Sequence, residues 1–102
     1  MVQYNKLVRD KISDILDAKG ISYEKRVADS GEYKNELIKK LGEEVAEFSE
    51  AGAVEELADV LEVVAALKKL PEYETVEEVR QQKFDERGGF EARIILKGEK
   101  QA

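Results

Sequence analysis

Cysteine and histidine are both missing from this chain of 102 residues. Without cysteine there is no disulfide, no thiolate zinc site and no thiol nucleophile. Without histidine there is no imidazole base, no Ser-His-Asp triad and no imidazole metal ligand. Any hydrolytic chemistry must come from carboxylates, Lys, Arg, hydroxyls or a hard metal ion. Tryptophan is absent, phenylalanine occurs three times and proline once, so Leu, Val, Ile and Ala carry the apolar content. That mix suits packed helices. No apolar run approaches the ~20 residues that span a bilayer. Residues 1–20 are too densely charged for a signal peptide. A cytoplasmic protein with no membrane partner is expected.

What is abundant is charge. Acidic residues number 23 against 17 basic ones, a formal net charge of -6. Sequence-independent nucleic-acid binding rests on neutralising phosphates, so no nucleic-acid partner is expected. An acidic chain can still hold anions where a divalent metal bridges them to carboxylates. Hydrophobic residues make up 42% of the chain, enough for one modest core, and the length fits a single domain over residues 1–102. A domain this small buries a limited share of its surface, and many such domains gain stability by oligomerising.

Apolar residues at helical spacing (Leu7, Val8, Ile12, Ile15, Leu16) predict a first helix over residues 7–19, with Gly20 to end it. Residues 21–27 alternate imperfectly and read as a short strand. Asp29 or Ser30 can cap a second helix running to about Ala51, with Leu37, Ile38, Leu41, Val45 and Phe48 as its stripe and Gly52 as its close. A third helix is expected over residues 54–70, stopped by Pro71. Thr75 and Glu78 form a capping-box pattern for a fourth helix, which runs to about Arg87 and ends at Gly88 and Gly89. Residues 90–97 read as a strand that can pair with 21–27 as a small two-stranded ribbon. The expected fold is all-α, four helices with that ribbon at their side.

Carboxylates on helices are usually solvated and make weak i,i+4 pairs. Four of them do not fit that description. At about 100° per residue the apolar residues of helix two fall in one arc. Glu43 and Glu50 lie on the far side, whereas Glu44 projects within about 20° of Leu37 and Glu47 one step beyond. Helix three has a broad apolar face of Leu57, Val60, Leu61, Val64 and Leu67. Glu55 and Glu62 point away from it, but Glu56 falls inside its margin and Asp59 next to it. Both pairs are i,i+3 and so share a face. The short connection makes the two helices pack antiparallel, which lets four carboxylates meet across the seam. Left alone they would repel and suffer desolvation. Two resolutions are open: a divalent cation, for which an all-oxygen ligand set favours Mg²⁺ or Mn²⁺, or interhelical salt bridges with Lys39, Lys40, Lys68 or Lys69.

The segments Glu44-Val-Ala-Glu47 and Glu56-Leu-Ala-Asp59 resemble the ExxE…ExxD signature of the MazG-like family of all-α nucleoside triphosphate pyrophosphohydrolases, whose relatives include phosphoribosyl-ATP pyrophosphohydrolase and dimeric dUTPases. Residues 4–12 (Tyr-Asn-Lys-Leu-Val-Arg-Asp-Lys-Ile), 56–62 and 83–90 are similar to a small single-domain branch of that superfamily. The resemblance runs from about Tyr4 to Leu96. Two departures stand out: the interval from Glu47 to Glu56 is short, and Ser13 stands where that branch is expected to carry Pro.

The resemblance implies a MazG-like helical bundle assembled as a homodimer or higher homo-oligomer. It implies Mg²⁺ held by Glu44, Glu47, Glu56 and Asp59. It also implies cleavage of a nucleoside triphosphate between the α- and β-phosphates, a nucleotide house-cleaning activity. Among the four acids Glu47 is the candidate base, being furthest from the apolar arc. Lys6 and Arg9, and Lys83 and Arg87, are the candidate phosphate-binding cations, and the glycines after Arg87 would allow close backbone approach. Tyr4, Tyr33, Phe48 and Phe84 could wall a base, though each also suits a core or interface. A phosphoribosyl nucleotide as substrate, or a non-enzymatic helical binding module, are the competing readings.

Overall fold

The helices start and stop where the local chemistry says they should. In the computed structural model, which describes residues 5–99, the Asp29 side chain accepts a hydrogen bond from the Glu32 amide at 2.9 Å and opens the longest helix, α2 (Ser30–Ala51). α1 (Ile12–Ala18) precedes it and is shorter than the periodicity suggests, because residues 5–11 are not helical. α2 ends on Gly52, whose φ of 62° is the left-handed conformation that only glycine adopts without strain. α3 (Val54–Lys68) follows almost at once. Pro71 ends its run and opens a 3₁₀ turn, Pro71–Tyr73, before α4 (Val76–Arg87). Thr75 does sit at the N-cap of α4, yet its side chain makes no capping hydrogen bond, so the boundary is met without the capping box.

Among the described residues the fold is all-α, with four α-helices and no strand. The expected ribbon is absent. Residues 21–27 and 90–97 form no ladder, and Val27, Phe90, Ile95 and Leu96 are more than nine-tenths exposed. Two strands alone are marginal in water and need a face to pack on. Among the described residues α1 and α4 make at most sparse contact with the hairpin, so they add no broad face for such a ribbon.

The four helices also do not form a closed bundle. α2 and α3 pack on each other, and the 3₁₀ turn packs on α3. Lys34 reaches Glu72 at 3.5 Å and lies 5.4 Å from the centre of the Tyr73 ring, which ties the start of α2 to the end of α3 and makes the pair an antiparallel hairpin. Lys68 meets Glu77 at 2.8 Å and anchors the start of α4, every residue of which is exposed. The radius of gyration is 18.2 Å, against about 13 Å for a compact chain of this length. Among described residues only Leu37 and Val63 are buried apolar side chains. No helix of the described residues is long and apolar enough to cross a membrane.

Candidate functional site

The hairpin seam is centred on the acidic margin of each helix. In projection, Leu37 and Glu44 of α2 lie within about 20° of each other, as do Val63 and Glu56 of α3. Leu37, Val63 and Glu44 are the buried residues among those described, and Glu44 is only 8% exposed. The other half of each apolar arc faces outward: Ile38 and Val45 on α2, Leu57 and Leu61 on α3 are all exposed. Carboxylates on the seam side therefore reach into the interface.

Glu44 Oε2 and Glu56 Oε2 are buried oxygens without a hydrogen-bond partner. Burial pushes the Glu44 carboxyl above the ordinary carboxylate range, and the neighbouring charges of Glu47 and then Asp59 push it further, against the opposing pull of Lys40. Lys40 stands 3.6 Å from Glu44 Oε1 and 3.7 Å from Glu43 Oε2. Of the lysines considered as neutralising partners, it is the one that pairs with the seam acids; Lys68 is spent on Glu77 instead.

The carboxylates that come close enough to share one cation are Glu43, Glu44 and Glu47, with one oxygen of each within 4.8 Å of the others. Glu44 and Glu47 were expected together; Glu43 was expected on the solvent side and is a correction. It is half-buried because residues 5–11 fold over that flank. Lys6 donates to Glu43 Oε1 at 3.1 Å, and that hydrogen bond holds the Glu43 carboxyl below its usual range. Helical periodicity cannot reveal a segment 37 residues away in sequence. Glu56 and Asp59 do not join that trio at the same spacing. Asp59 lies near enough to raise Glu44, and Glu56 contributes its unpartnered buried oxygen.

Arg9 donates to Asp59 Oδ1 at 2.7 Å. Lys6 and Arg9 lie before α1, not at its start, and each reaches an acid of the hairpin. Lys83 and Arg87 do not: among the described residues no ion pair or hydrogen bond joins them to the four acids, and both sit on the exposed α4. The glycines beyond them have a structural use. Gly88, at φ 76°, terminates α4, and a Cβ on Gly89 would stand 3.3 Å from the Phe84 ring. Tyr33 and Phe48 are half-buried in α2 and Phe84 is exposed, while Tyr4 lies outside the described residues.

Two surface hollows lie away from the seam. One is an open apolar groove of about 340 Å³ between Ile38, Leu41, Val64, Leu67, Tyr73 and Val76. A smaller one is lined by Arg80, Gln81 and Phe84 of α4. Neither includes an acid of the seam. Comparisons with family models, with curated proteins and with solved structures find no match to this chain.

Proposed function

We propose that the chain is a Mg²⁺-dependent hydrolase that cleaves a nucleoside triphosphate between the α- and β-phosphates. The observation that carries this reading is the pair of buried, unpartnered carboxylate oxygens, Glu44 Oε2 and Glu56 Oε2, beside Glu47 and Asp59. Buried polar atoms without partners are uncommon and call for an ion or a water. An all-oxygen donor set suits a hard divalent cation. The likeness of residues 44–47 and 56–59 to the ExxE…ExxD signature supports the same reading.

In this reading the metal would be shared by Glu44 with Glu43 and Glu47, whose oxygens lie within 4.8 Å of one another, and Asp59 and Glu56 would add charge from α3. When bound, Mg²⁺ supplies charge neutralisation and polarisation of water or phosphate oxygens. The exposed Glu47 would take a proton from the water that attacks the α-phosphorus. The bond from that phosphorus to the bridging oxygen breaks, and the products are a nucleoside monophosphate and pyrophosphate. Lys6 and Arg9, already at the acids, would be the cations that meet the developing charge, beside Lys40 of α2. Lys83 and Arg87 have no such placement.

Assembly is part of the reading. A hairpin with two buried apolar side chains and an outward apolar face (Ile38, Val45, Leu57, Leu61) gains a core when a second copy covers that face. A non-enzymatic helical module is the second reading, favoured by the Arg9–Asp59 and Lys40–Glu44 pairs, which satisfy acids without metal.

Thermal stability separates the two. Ligands that bind only the native state raise its melting temperature. Mg²⁺ with a triphosphate should do so for the enzyme, and Glu56→Gln or Asp59→Asn should abolish both the shift and turnover while keeping the helical signal. The absence of any shift across a nucleotide panel points to the module.

A further inference from the structure

Two apolar features of this chain face solvent, and they belong to different parts of it. The first is the groove of about 340 Å³ at the end of the hairpin away from the α2–α3 connection, walled by Ile38 and Leu41 of α2, Leu67 of α3, Tyr73 and Val76. The second is the segment that follows α4. Phe90, Ile94, Ile95 and Leu96 are each three-quarters or more exposed, a density of large apolar side chains that marks an interaction site. The two features are also complementary in charge. Residues 71–78, which supply Tyr73 and Val76 to the groove, hold four acids and no base. Lys34, Lys68 and Arg80 balance Glu72 and Glu77, which leaves Glu74 and Glu78 with no ion pair among the described residues. Residues 90–97 carry two bases, Arg93 and Lys97, against one acid.

We infer that segment 90–97 of one copy docks in the groove of a second copy, which returns its own segment in exchange. The chain cannot make the whole contact by itself. α4 has 12 residues and is about 18 Å long, with Val76 of the groove at its first position. It makes at most sparse contact with the hairpin, so it carries the segment away from the groove. Phe90 lies three residues beyond Arg87, a reach of about 10 Å at most, and so cannot return to Val76 of its own chain. A second copy has no such limit. The area agrees with a stable pair. Burying about 150 Å² for the phenylalanine and about 100 Å² for each aliphatic side chain removes roughly 450 Å² per segment from water. With the groove walls counted, two reciprocal segments cover on the order of 1,800 Å², within the ~1,200–2,000 Å² of specific interfaces. The exchange is two-fold, so it closes on itself and leaves no open surface to propagate. The inference rests on the second copy in the proposed function, and it gives that copy a definite segment and a definite seat.

The chain has no cysteine, so Lys69→Cys takes a nitroxide at one position, exposed and next to the groove residue Lys68. A spin-labelled Lys69→Cys copy without isotope is mixed with ¹⁵N-labelled wild type. The amide signals of residues 90–97 in the ¹⁵N copy should broaden, because a neighbouring copy brings the label to them. Broadening confined to chains that carry both nitroxide and ¹⁵N means that the segment folds onto its own chain, and overturns the exchange. Phe90→Ser should weaken self-association at least about tenfold in sedimentation, the loss of one large buried apolar side chain. Its far-UV helical signal should stay as in wild type, since Phe90 is exposed in the single chain. A wild-type dimer whose segment signals stay sharp, or one that Phe90→Ser leaves as tight, overturns the docking and leaves assembly through the outward face of Val45, Leu57 and Leu61 standing. A wild type that stays monomeric at the concentrations of the NMR experiment overturns both.

Discussion

The two sides of the α2–α3 hairpin differ in a way their sequences do not advertise. Each helix has one apolar arc, yet only the acidic margin of that arc is turned into the seam. Leu37 with Glu44, and Val63 with Glu56, face inward, while Ile38, Val45, Leu57 and Leu61 face out. Two helices cannot cover two broad apolar arcs at once. The hairpin spends one half of each arc on its own seam and leaves the other half for a different partner. It also puts carboxylates where water is scarce. In the proposed reading one side would take a cation and the other a second apolar surface.

The strongest way to break that comparison is to charge the outward side. Ile38→Lys with Leu61→Lys buries unpaired charge in any apolar assembly, and should weaken self-association about a hundredfold or more. Sedimentation of wild type and variant checks it. A wild type that sediments as a monomer at micromolar concentration removes the need for a second surface. Truncating the seam comes next: Leu37→Ala should cost about 2–4 kcal/mol in chemical denaturation, as a cavity in a core with few members.

Glu44→Gln tests the acidic margin alone. It should stabilise the metal-free protein at neutral pH by roughly 1 kcal/mol, by removing an unsatisfied buried charge. The sign follows from titration. The Glu44 carboxyl titrates above its usual range in the folded chain, so the folded state takes up protons more readily there. Wild-type stability then rises as pH falls through that window, and the advantage of Gln fades. Glu43 has the opposite sign. Lys6 holds it below the usual range, so its contribution is present at neutral pH and lost as pH falls through its folded value. Urea denaturation of Glu44→Gln and Glu43→Gln across about pH 3 to 8 should show a gain for the first and a loss for the second at neutral pH, the two converging on wild type as pH falls.

The smallest effect belongs to a residue on neither side. Gly42 lies mid-helix in α2, and a Cβ there would meet nothing within 4 Å. Gly42→Ala should stabilise the chain by about 0.5–1 kcal/mol. A loss instead would place Gly42 at the surface that a second copy covers.

What could be read from the sequence is what local chemistry decides. Asp29, Gly52 and Pro71 bound the two long helices through a cap, a left-handed closure and a missing amide, none of which needs a tertiary partner. The unusual position of Glu44 was also legible, because one helical projection contains it. The ribbon was not, because alternation in residues 21–27 and 90–97 records compatibility with a sheet and not the presence of a face to pack on. Nor was the role of Glu43, since the segment that covers it comes from the other end of the chain. Lys6 and Arg9 read from the sequence as phosphate-binding cations, and in the structure they are held by acids of the hairpin.

The central claim is that the acidic seam turns a nucleoside triphosphate into a monophosphate and pyrophosphate. Phosphorus NMR of a triphosphate panel incubated with the full chain and Mg²⁺ tests it directly. The account predicts equal growth of monophosphate and pyrophosphate signals, lost in Asp59→Asn. Growth of orthophosphate with nucleoside diphosphate, or no change in any triphosphate, would contradict it.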